Sequence, residues 1–428
     1  MLNDYSVLLL NNMIDVNFIV NHTREFQQAM QKRNKKISIK KILELCEKRK
    51  KLMLEFENLA AKKNKLAKEI GALAKQGKTK EELEEYFSKG KLISSELANL
   101  DVDLQSIQAQ LNKKLAVIPN IVLSDVPFGK DENDNFELYK WGEKPKFNFQ
   151  ALEHSELGKN TGTLDFETAV KISGSRFVVM KGECARLERE LRNFMINICN
   201  EFGFNEICVP FMVNYQSAYN AGQLPKFEKE IFKTTDGRYL IPTAETSLVN
   251  IYSDSILKEE ELPIRMCAYS PCFRSEAGSA GKDTTGMIRQ HQFTKVEIVS
   301  ITTPEKSNDE HELMRKCAET ILQRLGLHYR VVVLCGGDVG FCSAKTYDLE
   351  VWLPGQNRYR EICSCSTTTD FQARRAKIRY EKKNGKKELP HILNSSALAI
   401  GRTIIALIEN YQTSDGKVDF KKIFSLLS

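Results

Sequence analysis

No apolar stretch in this 428-residue chain approaches the roughly 18 residues that a membrane-spanning helix needs. The N-terminus has no basic run, and Val7-Leu8-Leu9-Leu10 is too short for the apolar core of a secretion signal. The early Asp4 argues against a transit peptide, so the expected location is cytoplasmic, with no membrane partner. There is no CxxC pair and no histidine pair at ligand spacing, and the eleven cysteines are scattered. A zinc site or a disulfide framework is therefore not expected; free thiols in a reducing compartment are. No internal repeat, low-complexity segment or alternating strand–helix rhythm is present. Hydrophobic residues make up 42% and charged residues 28% of the chain, which excludes wholesale disorder and fibrous architectures. At roughly 100–200 residues per domain, the length suits two or three domains.

What the chain does have begins with uneven charge. The net charge of +7 comes from 63 basic and 56 acidic residues. Between Gln31 and Lys80, however, 17 Lys or Arg face 5 Glu, a local +12, and Glu81 to Leu111 is net acidic. A positive field concentrated on one element suggests a polyanionic partner, although a long solvated helix also carries many lysines. The same region is heptad-patterned. Leu45, Leu52, Leu59, Leu66 and Leu73 form one seven-spaced series, joined by Ile42, Phe56 and Ile70, with Arg49 and Lys63 interrupting. A second run has Leu83, Leu97, Leu104 and Leu111, broken by Gly90, with Tyr86, Ile93, Leu100 and Ile107. Such spacing over four or more heptads predicts a coiled-coil seam. The polar turn Lys75-Gln76-Gly77-Lys78-Thr79 between the runs predicts an antiparallel helical hairpin. At about 1.5 Å per residue, about 35–40 residues make an arm roughly 50–60 Å long. A rod of that length serves reach or serves as a dimer strut. The expected division is an N-terminal domain, 1–118, whose coiled-coil arm covers about 36–113, and a second domain, 119–428. A linker-like stretch with Pro127, Gly129 and Asp131–Asp134 opens the second domain.

From about Phe147 the pattern is mixed. A helix over Gly182–Phe202 is interleaved with apolar runs at Glu206–Val213, Arg265–Ala268, Lys295–Thr302 and Arg330–Cys335. This predicts an α+β fold, an antiparallel sheet with flanking helices. The basic run from Arg374-Arg375 to Lys386-Lys387 reads chiefly as a solvated face. Four segments carry candidate chemistry. In Phe273-Arg274-Ser275-Glu276-Ala277-Gly278-Ser279-Ala280-Gly281-Lys282-Asp283, the phosphate-loop pattern fails, since Asp283 stands where Ser or Thr is needed. What remains is Arg-x-Glu before a glycine-rich loop and the strand Val296–Ile301, a hairpin able to lay an arginine fork along a phosphate. The others are Ile241-Pro242-Thr243-Ala244-Glu245, Arg360-Glu361-Ile362-Cys363-Ser364 and Asn394-Ser395-Ser396-Ala397-Leu398-Ala399-Ile400-Gly401-Arg402. The last reads as a helix start capped by Asn or Ser, with Arg402 beside an apolar stripe and in need of an anionic partner.

Taken together these segments resemble class II aminoacyl-tRNA synthetases, and specifically bacterial-type seryl-tRNA synthetases. Phe273-Arg274-Ser275-Glu276-Ala277-Gly278 through Gln292-Phe293-Thr294-Lys295-Val296-Glu297 resembles motif 2. Ser396 through Arg402, continuing to Glu409-Asn410-Tyr411-Gln412, resembles motif 3. Val209-Pro210 with Gly222-Gln223-Leu224-Pro225-Lys226-Phe227 resembles motif 1 and its following loop, and the basic arm is similar to the family's tRNA-binding arm. The resemblance starts at Met13-Ile14-Asp15-Val16, after twelve further residues, and runs to the C-terminus.

The resemblance implies ATP-dependent ligation of L-serine to tRNA(Ser) through a seryl-adenylate, and serylation of tRNA(Sec) where that tRNA exists. It implies Mg2+ with the ATP, a homodimer, and an arm reaching tRNA bound by the other subunit. Arg274 would hold the α-phosphate, Glu276 the adenine amino group, Phe293 the adenine face and Arg402 the γ-phosphate. Ser275, Ile362 and Cys363 would line the ATP site. Glu361 and Ser364 would be the magnesium ligands, and Arg274, Arg402 and Glu361 the catalytic set. Thr243, Ala244, Glu245, Arg274, Glu297 and Ser396 would surround serine. Two residues depart from the family pattern: Thr285 stands where relatives often carry a basic residue, and Cys363 where they usually carry a hydroxyl, leaving a backbone contact there. A paralogue that binds nucleotide and amino acid without charging tRNA would lack the arm or break motif 2 or 3; all are present. Among class II enzymes, the arm and Thr243-Ala244-Glu245 favour serine over threonine, proline or glycine.

Overall fold

The computed structural model of the chain describes residues 14–277 and 286–427. The twelve residues ahead of Met13, much of the glycine-rich stretch of motif 2, and Thr285 lie outside the described residues. The chain divides into two compact units. One comprises Asp15–Thr23 and Lys36–Ile118; the other comprises Arg24–Lys35 and the chain from Pro119 onward.

The first unit is a helical hairpin preceded by a short helix, α1 (Val16–Asn21), capped by the Asp15 carboxylate on the Asn17 N–H. Helix α2 (Thr23–Lys32) falls almost wholly in the other unit. The hairpin pairs α3 (Lys40–Lys75, 36 residues) with α4 (Glu84–Leu115, 32 residues). At 1.5 Å per residue α3 is about 54 Å long, within the span expected from the heptads. Leu52, Phe56, Leu59, Leu66, Ile70 and Leu73 are half-buried, as are Tyr86, Ile93, Leu97 and Leu100, while their helical neighbours are mostly exposed. A two-stranded seam shields each side chain from one side only, so this partial burial is what heptad pairing gives. Burial becomes complete at the other end of the hairpin, at Ile42, Leu45, Leu104, Ile107, Leu111 and Leu115. The interruptions are tolerated differently. Lys63 is exposed, and Gly90 leaves room in the seam, since a Cβ there would sit 3.7 Å from Leu66 Cδ2. Helix α3 stops where Gly77 takes φ +88°, a conformation glycine adopts without a Cβ clash.

The second unit is built on an eight-stranded sheet. Its strands are β1 (Phe136–Trp141), β2 (Asn205–Glu206), β3 (Ile264–Phe273), β4 (Gln292–Thr302), β5 (Tyr329–Val333), β6 (Lys345–Leu353), β7 (Arg358–Thr367) and β8 (His391–Ala399). They lie in the order β1-β5-β6-β7-β8-β4-β3-β2. Every pairing is antiparallel except that of β2 with β3. Helices α5 (His154–Asn160), α6 (Gly182–Glu201), α7 (Glu245–Leu248), α8 (Ser307–Arg324), α9 (Phe371–Ala376) and α10 (Ile400–Asn410) flank it. Alternation along β4 splits its side chains between two cores. Val296 and Ile298 pack with Leu187, Leu191, Met314, Ile321, Ile404 and Leu407. Val299 and Ile301 pack with Leu248, Ala268, Ala373 and Ile392.

Three local expectations are corrected. Glu206–Val213 is not one strand: Asn205–Glu206 pairs with Met266–Cys267, and Met212–Val213 pairs with Tyr239–Leu240. Pro210 between them lacks the N–H a ladder needs. Asn394 to Ser396 do not cap a helix; they lie in β8, and α10 starts at Ile400 with no side-chain cap. Ladders with β4 on one side and β7 on the other outweigh local capping by these short polar side chains. The basic run is solvated at Lys383, Lys386 and Lys387, but Arg375 is 3% exposed and donates to the carbonyls of Tyr219 and Leu224. All eleven cysteines are free thiols.

Candidate active site

The β3–β4 hairpin supplies one wall. Its register pairs Phe273 with Gln292, Cys272 with Phe293, Ser270 with Lys295 and Ala268 with Glu297. Phe293, Lys295 and Glu297 therefore stand in one row, at period two, opposite small residues that leave space above the sheet. The Arg274 N–H donates to the His291 carbonyl at 2.9 Å, extending the ladder one step. The Arg274 guanidinium lies 5.2 Å from the centre of the Phe293 ring. Glu276 follows with φ +51°, a left-handed conformation that costs a non-glycine residue of order 1–3 kcal/mol. Its carboxylate is only 13% exposed and lies 3.5 Å from Arg289 and 3.9 Å from Arg176.

The opposite wall comes from β7 and the start of α10. Arg402 occupies the third position of α10. It donates to the Glu361 carbonyl at 2.8 Å and the Ile288 carbonyl at 3.3 Å, and lies 3.4 Å from the Glu361 carboxylate. Burial pushes Glu361 up, but Arg402, Arg274 and Arg289 outweigh it and hold the carboxyl below its usual range. The cavity between the walls is lined by Arg274, Arg289, Lys295 and Arg402 against two acids, Glu276 and Glu361. This cationic excess, with an aromatic face at one side and the uncapped N–H groups of α10 at another, suits a nucleotide polyphosphate.

Beyond Lys295 the row enters a buried acidic pocket. Lys295 pairs with Glu297, and both side chains are nearly inaccessible. Ser396 is the cross-strand partner of Glu297. Glu245 begins α7, where its N–H donates to Thr243 Oγ1 at 3.3 Å, and its Oε1 accepts from Gln372 at 2.5 Å. Burial and then the Glu297 carboxylate push the Glu245 carboxyl up to about 7, against the lowering effects of Gln372, Lys295 and Arg274. Thr243 and Ala244 are buried alongside. Two carboxyl groups, one of them poised near neutrality, suit a small cation such as an amino acid's ammonium group.

The structure thus lines one cavity with Arg274, Glu276, Phe293, Glu361, Ile362, Ser396 and Arg402. Glu245 and Glu297 lie buried beside it, close enough for the Glu297 carboxylate to push Glu245 up. Others point elsewhere. Ser275 Oγ donates to the Lys229 carbonyl at 2.5 Å, and the buried Cys363 thiol donates to the Ser396 carbonyl at 2.9 Å, so both side chains are already engaged with backbone. Ser364 hydrogen-bonds to Asp348 across the β6–β7 pair. Asp348 Oδ1 is buried without a hydrogen-bond partner, and burial followed by Glu361 pushes this acid well up. Sequence reasoning missed Arg289, Arg176, Gln372 and Asp348; Arg289 lies within the motif 2 stretch without being singled out there, and the other three sit in no motif-like string and arrive through tertiary register.

An antiparallel sheet with an arginine–phenylalanine hairpin on one wall and a second arginine on a following helix defines a class II aminoacyl-tRNA synthetase core. Residues 227–411 match the model of the tRNA synthetase class II core domain (G, H, P, S and T), and residues 13–122 that of the seryl-tRNA synthetase N-terminal domain. The serine–tRNA ligase of Thermodesulfovibrio yellowstonii is 47% identical over 408 residues, covering 95% of this chain and 96% of the relative. That of Hydrogenobaculum sp. is 49% identical over 414 residues, covering 96% and 98%. The chain belongs to the seryl-tRNA synthetases, class II enzymes that ligate serine to tRNA. Among solved structures, the seryl-tRNA synthetase of Pyrococcus horikoshii complexed with ATP superposes with a TM-score of 0.89 at 35% identity, covering 97% of this chain and 98% of that one. The cytoplasmic serine–tRNA ligase of Naegleria fowleri in complex with AMP gives 0.84 at 27% identity, covering 97% of each. No helix among the described residues is long and apolar enough to cross a membrane.

Proposed function

We propose that this chain activates L-serine with ATP to form seryl-adenylate and pyrophosphate, then transfers the seryl group to the 3′-terminal ribose of tRNA(Ser). The observation that carries this reading is the pair of arginines, Arg274 and Arg402, on opposite walls of one cavity beside Phe293. The serine carboxylate is already a nucleophile, so the first step needs no general base. It needs an in-line approach to the α-phosphorus and neutralisation of phosphate charge. Phe293 stacks on adenine and Glu276 accepts from its amino group. Arg274 holds the α-phosphate, where charge grows as the carboxylate oxygen attacks. Arg402, with the N–H groups opening α10, holds the γ-phosphate of a bent triphosphate and stabilises the departing pyrophosphate. Glu361, held ionised by its arginines, lines the cavity as a hard oxygen donor, and it and Ser364 would hold the Mg2+ that accompanies ATP, which when bound supplies charge neutralisation on the phosphates. Among the described residues no group of three acidic, histidine or cysteine side chains is placed to hold a metal by itself.

Glu245 and Glu297 hold the serine ammonium, with Thr243 and Ser396 beside them. A pocket that hydrogen-bonds the substrate hydroxyl rejects alanine, because its polar groups would be left unpaired. The basic helix α3 carries the tRNA-binding surface of the 1–118 domain, reading backbone phosphates and shape. The proposal includes a cytoplasmic homodimer, and tRNA(Sec) as a second acceptor where present, since serine is loaded on both. Serine-dependent ATP–pyrophosphate exchange, run against threonine, alanine, glycine and proline, tests the reading. Exchange should be fastest with serine; equal or better exchange with another amino acid would overturn it. Exchange without charging of tRNA(Ser) would leave a non-charging paralogue.

A further inference from the structure

His154, on α5 and 1% exposed, belongs to none of the roles above. Its Nδ1 lies 2.9 Å from Glu409 Oε1, and its Nε2 accepts the Met287 N–H at 3.1 Å. A carboxylate only accepts and a backbone N–H only donates, so the ring is neutral with its proton on Nδ1. Glu409 also accepts the N–H groups of His154 and Gly355, both at 3.0 Å, and lies seven residues beyond Arg402 on α10. Gly286 packs so tightly on the ring that a Cβ there would lie 2.2 Å from His154 Nε2, and its φ is +75°. Met287 and Ile288 line the cavity, and the Ile288 carbonyl accepts from Arg402 Nε at 3.3 Å.

We propose that His154 is a positioning residue for the nucleotide side of the site. Its bare Nε2 fixes the backbone of Met287 and Ile288, and the Ile288 carbonyl in turn sets the guanidinium of Arg402. This rests on the reading of Arg402 as a phosphate ligand. The imidazole also ties that backbone to the far end of the helix bearing Arg402, so the arginine's own helix and the Ile288 carbonyl it meets share one reference point.

Two substitutions separate the ring's two bonds. In His154→Asn the side-chain amide replaces Nδ1 and keeps the donor to Glu409, but nothing reaches Met287. In His154→Gln the side-chain oxygen replaces Nε2 and keeps the acceptor for Met287 while the Glu409 bond is lost. Both are assayed by ATP–pyrophosphate exchange with the whole chain, alongside Arg402→Ala. The Asn variant should raise the KM for ATP about tenfold and leave the KM for serine within about twofold, while the Gln variant stays within about threefold of wild type for ATP and loses more thermal stability. The reverse order, or equal rises for ATP and serine, would show a structural role and overturn the proposal. If Arg402→Ala itself leaves the ATP dependence intact, the phosphate reading of Arg402 fails. If only that variant loses ATP, the role of His154 fails alone. Should the Asn variant not fold, hydrogen exchange at the wild-type Met287 amide decides: slow exchange supports the anchor, and exchange at the rate of an open loop refutes it.

Discussion

Glu245 gives the sharpest quantitative test, because its carboxyl is pushed up to about 7 by burial and by Glu297. Its ordinary value is 4.5, and the gap corresponds to about 3 kcal/mol favouring the protonated form in the free enzyme. The sign follows. The neutral group's advantage is fully present below about 4.5 and is lost as pH rises through about 7, so at pH 8 Glu245 is a destabilising buried charge. On the proposed role of Glu245, serine brings an ammonium group that needs that charge. Between pH 8 and pH 6 the ionised fraction of a group titrating near 7 falls about tenfold, so the apparent KM for serine should rise by about that factor, with the KM for ATP nearly flat. Glu245→Gln removes the titration. Its serine affinity should be weak and independent of pH across the same window, and the free protein should be more stable than wild type at pH 8. The assay is pyrophosphate exchange at saturating ATP with serine varied at each pH. A wild-type serine KM that is flat from pH 6 to 8, or a Gln variant that keeps the wild-type slope, would refute the reasoning.

Arg402→Ala should lower exchange about a hundredfold or more while circular dichroism stays native, and wild-type rates would remove its phosphate role. Phe293→Ala should raise the KM for ATP about tenfold, the scale of losing one base–aromatic stack, with serine unaffected; unchanged ATP dependence would place adenine elsewhere. Replacing residues 49–100 with a short turn retains the fully buried Ile42, Leu45, Leu104, Ile107 and Leu111. Such a chain should still form adenylate but fail to charge tRNA; sustained charging would make the arm a strut. Binding of tRNA to the whole chain should weaken steeply with salt as phosphate counterions are displaced, and a flat salt profile would contradict a phosphate-reading arm.

What could be read from the sequence follows the range over which each signal acts. The arm was legible as a helical hairpin because a heptad seam repeats one local rule, and the residues it selected are half-buried or fully buried. Arg274, Phe293 and Glu297 were legible through the family resemblance rather than through a local rule; the ladder adds that Phe293, Lys295 and Glu297 share a face by period two and that Arg274 continues the facing strand. The junction at Asn394–Ile400 misled because its cap-like Asn and Ser are local signals, whereas the ladders that make it a strand come from Lys295–Thr302 and Cys365–Thr367. The residues that hold the site rigid were invisible for a stronger form of that reason. Gln372 reaches Glu245 across 127 residues, and His154 reaches Met287 across 133 and Glu409 across 255. Each is a single polar residue in an unremarkable string, whose partner exists only once the sheet order is set. Groups proposed to touch substrate therefore concentrate in strings, since a hairpin or helix start presents several at once, while groups that orient them scatter. In this chain that makes α5, outside all three synthetase motifs, the place where a substitution should alter ATP use without touching ATP.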